Sequence, residues 1–522
     1  MTRGTQRTFV ILVILGGGLA GWWLTRNSWE SRTEPLASKP KAPKYLPPQG
    51  SGLKDSKLTE RKAGLVKDSE AEAAGAFQNQ RSLMFSDRAA LEAFLERAKG
   101  KGIAVLGQID RLNALHVGFL SADELASLLD GTEETGFIYP VTLPTPKTDG
   151  IQDGAVGFGT SLLGWLGITG DNSTYGSGVK VAVLDTGSTL AGVQGFNLVD
   201  LPSDPSAQNG HGTAVTDLIR QIAPGTDLFS FRIANDEGQS NSFLLAQGVD
   251  AATAAGVDII NISMASYGNS TLLRMAVEQA QAAGIKIFAS TGNEGYEQVA
   301  YPAGYQGVVA VGAVDANGTH LDFSNSGNVT LVAPGLDLVT AWVGGKSVYF
   351  TGTSASSPIG AGVLAAAMSS GGQKITAAKA YDNVANNLNE AGAPGVDSFY
   401  GGGSVDFGRV LRAGSSGVGD VALASNYVST NGNGQNQLQV TVQNRGTDVI
   451  YNAPLEVTTS SGGTRTMTIT SLKPGDIATF TLPFNIPSNG ATVQSQVTLP
   501  SASDIKPSNN RRSDAYAAPA SN

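Results

Sequence analysis

A serine hydroxyl is a poor nucleophile at neutral pH. It needs a base beside it, and the base needs an acceptor that holds its tautomer and stabilises its charged form. The chain of 522 residues contains only three histidines. His116 falls in a small N-terminal segment and His320 in a turn-like DANGTH stretch, which leaves His211, in NGHGTAVTDLI, as the good base. Gly210 and Gly212 allow close backbone approach, and the apolar spacing after Thr213 predicts a helix with the imidazole in its first turn. Asp185 ends the apolar run KVAVLD, ahead of Thr186 and Gly187, which places its carboxylate at the carboxyl edge of a parallel sheet, where ligands bind. Ser354 lies in GTSASSPIGAGVLAAAM, a Gly-Thr entry into a small-residue helix whose N-terminus favours a developing anion. Singly, each type has a commoner structural use: a strand-end cap for Asp185, a satisfied helix-start histidine for His211, an N-cap for Ser354. Asn293, between Gly292 and Glu294, can be read alone as a turn residue, and Ser263-Met264-Ala265 as a buried strand end. Together, Ser354, His211 and Asp185 supply the three roles of nucleophile, base and acceptor.

The elements that must position these residues alternate along the chain. From residue 151 to 414, strand-like runs (KVAVLD, DLFSFR, VDIINIS, IKIFAST, GVVAVGAV) are separated by helical stretches, which predicts an α/β domain with a parallel sheet and helices on both faces. Ahead of it, residues 81–143 read as a small α+β domain. RSLMF, IAVLGQ, ALHVGFL and TGFIYPV are its strands, and one helix is capped by Ser121 with Glu124 three residues on. Residues 419–510 switch to period-two patterning with turns at Asn444-Arg445-Gly446 and Lys473-Pro474-Gly475, as in a β-sandwich. Residues 29–80 are polar, Pro- and Lys-containing linker. Residues 1–28 form the export segment. Arg3 and Arg7 precede an uncharged apolar run, and Trp22 and Trp23 sit ahead of Arg26; residues 8–25 would serve either as an uncleaved membrane anchor or as a cleaved signal peptide. Either way the protein is expected outside the cytoplasm, anchored or secreted.

Composition removes several classes. A formal charge of −9 without a sustained basic run argues against a nucleic-acid partner and for protein or peptide substrates. With no cysteine there is no disulfide framework, thiol nucleophile or Cys-ligated metal. Asp315, Asn317 and Asp322 fit no strong metal signature, and a plain turn is expected there.

The order Asp, His, Ser, with DTG, GHGT and GTS, resembles the subtilisin-like serine proteases (peptidase S8). VDIINISMAS, ASTGNEG, the FSNSG and LVAPG pair and the closing YGGGSVDFGRVL extend the likeness from about 154 to 411. The resemblance implies a serine endopeptidase in which Asp185, His211 and Ser354 form the triad and Asn293 donates to the oxyanion. It implies that Ser263, Met264 and Ala265 line the first specificity pocket and pair with substrate, with Gly292 and Glu294 beside it and Glu294 at the rim. An apolar or uncharged side chain before the scissile bond is the expected preference. Around the nucleophile, Ala355, Ser356, Ser357, Ile359 and Gly360 stand where the family usually has Met, Ala, Thr, His and Val, which bears on pocket shape more than chemistry. No cofactor is expected. A structural calcium ion finds no support, because the stretch after His211 lacks the insertion that carries that site in many relatives. Residues 81–143 resemble the family's inhibitory propeptide, making the chain's own propeptide a partner and placing self-cleavage between Thr142 and Gly157. Residues 419–510 resemble CARDB or fibronectin type III sandwiches, implying a surface ligand or a stabilising spacer. A noncatalytic scaffold is disfavoured because all four catalytic positions are filled; a protease acting only on its own propeptide is the other alternative.

Overall fold

The computed structural model describes residues 32–34, 75–146, 151–199, 209–500 and 503–517. The expected export segment and most of the linker lie outside them. Among the described residues, no helix is long and apolar enough to cross a membrane.

The first domain is an antiparallel sheet of β1 (Gln80–Met84), β2 (Ile103–Ile109), β3 (Ala114–Phe119) and β4 (Glu134–Phe137), in the order β2-β3-β1-β4. Helices α1 (Arg88–Ala98) and α2 (Ala122–Leu128) cover one face, burying Leu91, Phe94 and Leu125 against Leu83, Leu115 and Val117. Met84, Ile109, Leu112 and Ala114 point the other way and join the core of the next domain, so this sheet is docked rather than tethered. The sequence predicts TGFIYPV as one strand, whereas the structure breaks it in two: β4 stays in the first sheet, and β5 (Pro140–Thr142) crosses over to pair with β9 (Gln239–Asn241). The break falls where Tyr139 is captured, its N–H by Ser242 Oγ and its carbonyl by the Ser242 N–H.

The second domain is built on seven parallel strands. They are β6 (Lys180–Asp185), β7 (Gln194–Asn197), β8 (Asp227–Arg232), β10 (Ile259–Ile262), β11 (Lys286–Ser290), β12 (Val309–Val314) and β13 (Leu331–Pro334), in the order β13-β12-β11-β10-β6-β8-β7. Alternation along β6 explains the two-sided core. Val181 and Val183 pack under α3 (His211–Ile222) and α6 (Thr353–Ser369). Ala182 and Leu184 pack under α4 (Ser242–Ala254) and α5 (Thr271–Ala282). Strand order reverses between β6 and β10, and the crevice beyond the carboxyl ends of such strands is where ligands bind in open α/β sheets. A hairpin, β14 (Leu338–Trp342) and β15 (Lys346–Phe350), leads into α6.

The last domain is a sandwich of two sheets around one apolar core, antiparallel except where Arg32–Glu34, from the expected linker, pairs in parallel with residues 514–516. It is fastened to the second domain by polar contacts: Gln443 donates to Leu388 O at 3.1 Å and accepts from the Glu390 N–H at 3.0 Å, and Arg445 Nη2 reaches Glu390 O at 3.3 Å.

Candidate active site

Asp185 is carried to the crevice by the last position of a central strand buried from Val181 onward. His211 is brought to it by α3, whose Val215, Leu218, Ile219 and Ile222 are buried; each contributes roughly 2 kcal/mol toward holding that helix in place. The approach demands glycine on both sides. A Cβ on Gly212 would sit 3.0 Å from Gly187 N and closer still to Gly187 O, and Gly187 itself has φ +95°. With both side chains absent, His211 Nδ1 lies 2.9 and 3.0 Å from the two Asp185 carboxylate oxygens. Asp185 Oδ1 also accepts from the Thr186 N–H at 2.7 Å, and the imidazole edge rests on the Phe350 ring.

Ser354 is the second residue of α6, and its first turn is tied to Asn293. Asn293 Oδ1 accepts from both the N–H and the hydroxyl of Thr353, each at 2.9 Å, which leaves its Nδ2 as the free donor beside the serine. Nδ2 is occupied by the chain itself, donating to Pro144 O at 2.7 Å. The residues leading to Pro144 lie as an extra strand between two others. Thr142 exchanges both backbone bonds with Ala265 at 2.9 Å, and Leu143 N–H donates to Gly238 O at 3.1 Å. Continuing the antiparallel register sets Pro144 opposite Ser263. Proline has no N–H to offer Ser263 O, and the Ser354 hydroxyl donates there instead, at 3.2 Å.

Thus Asp185 and His211 are in direct contact, Ser354 and Asn293 are joined through Thr353, and Ser263, Met264 and Ala265 form the ledge beneath residues 142–144. Met264 is buried in the core shared with Val141. Gly292 and Glu294 flank Asn293, and the Glu294 carboxylate folds back to accept the Asn293 N–H at 2.8 Å. The two unusual serines after the nucleophile are buried and used in packing: Ser356 Oγ donates to Pro334 O and Ser357 Oγ to Asn261 Oδ1. Asp315 closes a turn by accepting the N–H groups of Asn317 and Thr319. His320 packs against Phe399 and Tyr400, and His116 against Phe243 at the domain junction. Sequence reading put Pro144 no more narrowly than the 142–157 cleavage stretch and missed Gly238, Tyr267 and Asn325. The one usable signal was the apolar Val141 standing between prolines ahead of a loop.

A buried Asp–His pair and a helix-N-terminal serine, at the carboxyl edge of a parallel sheet and with substrate-like chain beside them, describe a serine hydrolase acting on polypeptide. Residues 176–403 match the model of the subtilase family. The chain is 35% identical over 256 residues to the thermostable alkaline protease of Halalkalibacterium halodurans, covering 46% of this chain and 69% of that protein. It is 32% identical to subtilisin BL of Lederbergia lenta (36% and 76% covered) and 32% identical to subtilisin DY of Bacillus licheniformis (43% and 87% covered). The chain belongs to the subtilase family. It is a serine endopeptidase hydrolase.

Proposed function

We propose that Asp185, His211 and Ser354 are the catalytic triad, and that the chain is a zymogen that cuts itself between Pro144 and Thr145. His211 Nε2 takes the Ser354 proton while Oγ attacks the carbonyl carbon of the residue in Pro144's place. The oxyanion that forms is held by Asn293 Nδ2 and by the positive end of α6. Collapse breaks the C–N bond, and His211 passes its proton to the departing amine. Water, activated by the same imidazole, then releases the acyl group and regenerates the serine. Asp185 keeps the proton on Nδ1 throughout, so that Nε2 is the basic nitrogen. Such chemistry calls for no cofactor.

The observation that carries this reading is the 2.7 Å bond from Asn293 Nδ2 to Pro144 O, within a stretch whose backbone pairs with Ala265 as a bound peptide would. After the cut, residues 75–144 become a separate inhibitory domain held by the apolar face of its sheet. Other proteins then follow the same path along Ser263-Met264-Ala265. Export by residues 1–28 would put this activity outside the cytoplasm, and the C-terminal sandwich, bonded to the catalytic domain through Gln443 and Arg445, serves as a rigid spacer or a carrier of a surface ligand.

The test is expression of the wild type and Ser354→Ala in parallel, with mass spectrometry of the mature N-terminus. The wild type is expected to begin at Thr145 and to take a fluorophosphonate label, while the variant stays full-length and unlabelled. Maturation of the purified variant by itself would refute the assignment.

A further inference from the structure

Next to Asn293, which holds Pro144 O, the chain just past Ala265 and just past Asn293 is joined by a polar bridge. Gly292 has φ +105°, and the place a Cβ would take there is already filled, with Glu294 Oε2 and Tyr267 OH each 2.8 Å from that point and Asn325 Nδ2 closer. These atoms are bonded to one another. Asn325 Nδ2 donates to Tyr267 OH at 2.7 Å and to Glu294 Oε2 at 3.1 Å, and the Tyr267 hydroxyl donates to Glu294 Oε2. Tyr267 continues the Ser263-Met264-Ala265 wall and Glu294 the Gly292-Asn293 wall, so the bridge ties one wall to the other. Asn325 is anchored behind them, its Oδ1 accepting the N–H groups of Glu294 and Tyr296 at 3.1 and 2.9 Å. Burial, and after it the neighbouring Glu294 charge, hold the Tyr267 pKa above the ordinary tyrosine range, so the phenol keeps the proton it donates.

Resting on the protease reading above, we propose that the Tyr267–Glu294–Asn325 bridge shortens the specificity pocket, so that the enzyme selects proline or alanine before the scissile bond and rejects aromatic side chains. Pro144 is the chain's own example of a short side chain at this place, its carbonyl held by Asn293 Nδ2. To admit a phenylalanine ring, Tyr267 must swing away, which strips one of three donors from the Glu294 carboxylate and takes from Asn325 Nδ2 its acceptor at the phenol. Breaking such a network costs far more than an unfilled corner of an apolar pocket.

The experiment uses self-matured enzyme and p-nitroanilides of the sequence Ala-Val-Leu-X, with X as proline, alanine, leucine or phenylalanine. Proline and alanine are expected to exceed phenylalanine in kcat/KM by at least about tenfold. Tyr267→Ala should erase that ratio by raising the phenylalanine rate, and Asn325→Ala, which leaves the ring in place but loosens it, should reduce it. Wild-type enzyme that cuts after phenylalanine as fast as after alanine would overturn the bridge proposal while leaving the protease reading intact, as would an unchanged ratio in both variants. Failure to cut any of the peptides or to take a fluorophosphonate label would instead bring down the protease reading, and the bridge with it.

Discussion

Replacing Asp185 by asparagine changes one atom in a buried site whose other bonds dictate how that atom must be placed. Asp185 Oδ1 accepts the Thr186 N–H at 2.7 Å, so in the variant this position must remain oxygen. The new NH2 group is therefore forced to the Oδ2 position, 3.0 Å from His211 Nδ1. The retained Oδ1, 2.9 Å from Nδ1, still competes for the ring proton, so activity is lost in those rings where the new donor makes Nδ1 the acceptor and leaves the proton on Nε2, which can then no longer take the Ser354 proton. A wrong tautomer of this kind costs about 10⁴-fold in turnover in the Ser-His-Asp mechanism, equivalent to about 5.4 kcal/mol of barrier. The shape of the site is unchanged and the Thr186 bond is kept, so thermal stability should move little. The reaction to follow is conversion of the full-length chain, resolved by gel at several protein concentrations, because self-cleavage is first order and needs no separated enzyme. Asp185→Asn protein that processes within about tenfold of the wild-type rate, with the same melting temperature, would refute the tautomer argument.

Asn293→Ala removes the side-chain oxyanion donor, and a loss of roughly 100- to 1,000-fold in turnover with little change in KM is expected, a range established on subtilisin itself rather than worked from these distances; steady-state kinetics on a peptide substrate measure it, and a change confined to KM would speak against the assignment. The docked N-terminal domain should also let go in acid. Burial pushes the His116 pKa down to about 4, with Phe243 of the second domain supplying part of the cover and Gln80 of its own sheet a hydrogen-bond partner, whereas a solvated histidine titrates near about 6.5. The docked state thus binds fewer protons between those values, so docking is at full strength above about pH 6.5 and weakens as pH falls toward about 4, by up to ~3 kcal/mol. Binding of the separated domain to fluorophosphonate-blocked enzyme is expected to weaken from about pH 7 to about pH 4.5, by up to roughly 60-fold if docking supplies the whole shift. His116→Gln should flatten the curve, and an equally steep one in that variant would assign the effect elsewhere.

What the linear chain determined on its own was whatever follows from local pattern and from rare residue types. Continuous apolar runs alternating with helical stretches made the parallel sheet legible, and the pairing order, with β6 between β10 and β8, agrees with the crevice expected beyond Asp185. With only three histidines, and with glycines on both sides of one of them, His211 could be found without coordinates. Tertiary structure alone decided what depends on chain segments far apart in sequence. That Pro144 reaches Asn293, 149 residues later, is set by the capture of Tyr139 at Ser242 and by the register of Thr142 on Ala265. The same holds for Tyr267, Glu294 and Asn325. Each is an ordinary polar residue in its own stretch, and the bridge exists because β10, β11 and β12 lie side by side and bring the loops after them together. Local propensity carries no information about such meetings, since the free energy that fixes them is packing between elements rather than preference within one.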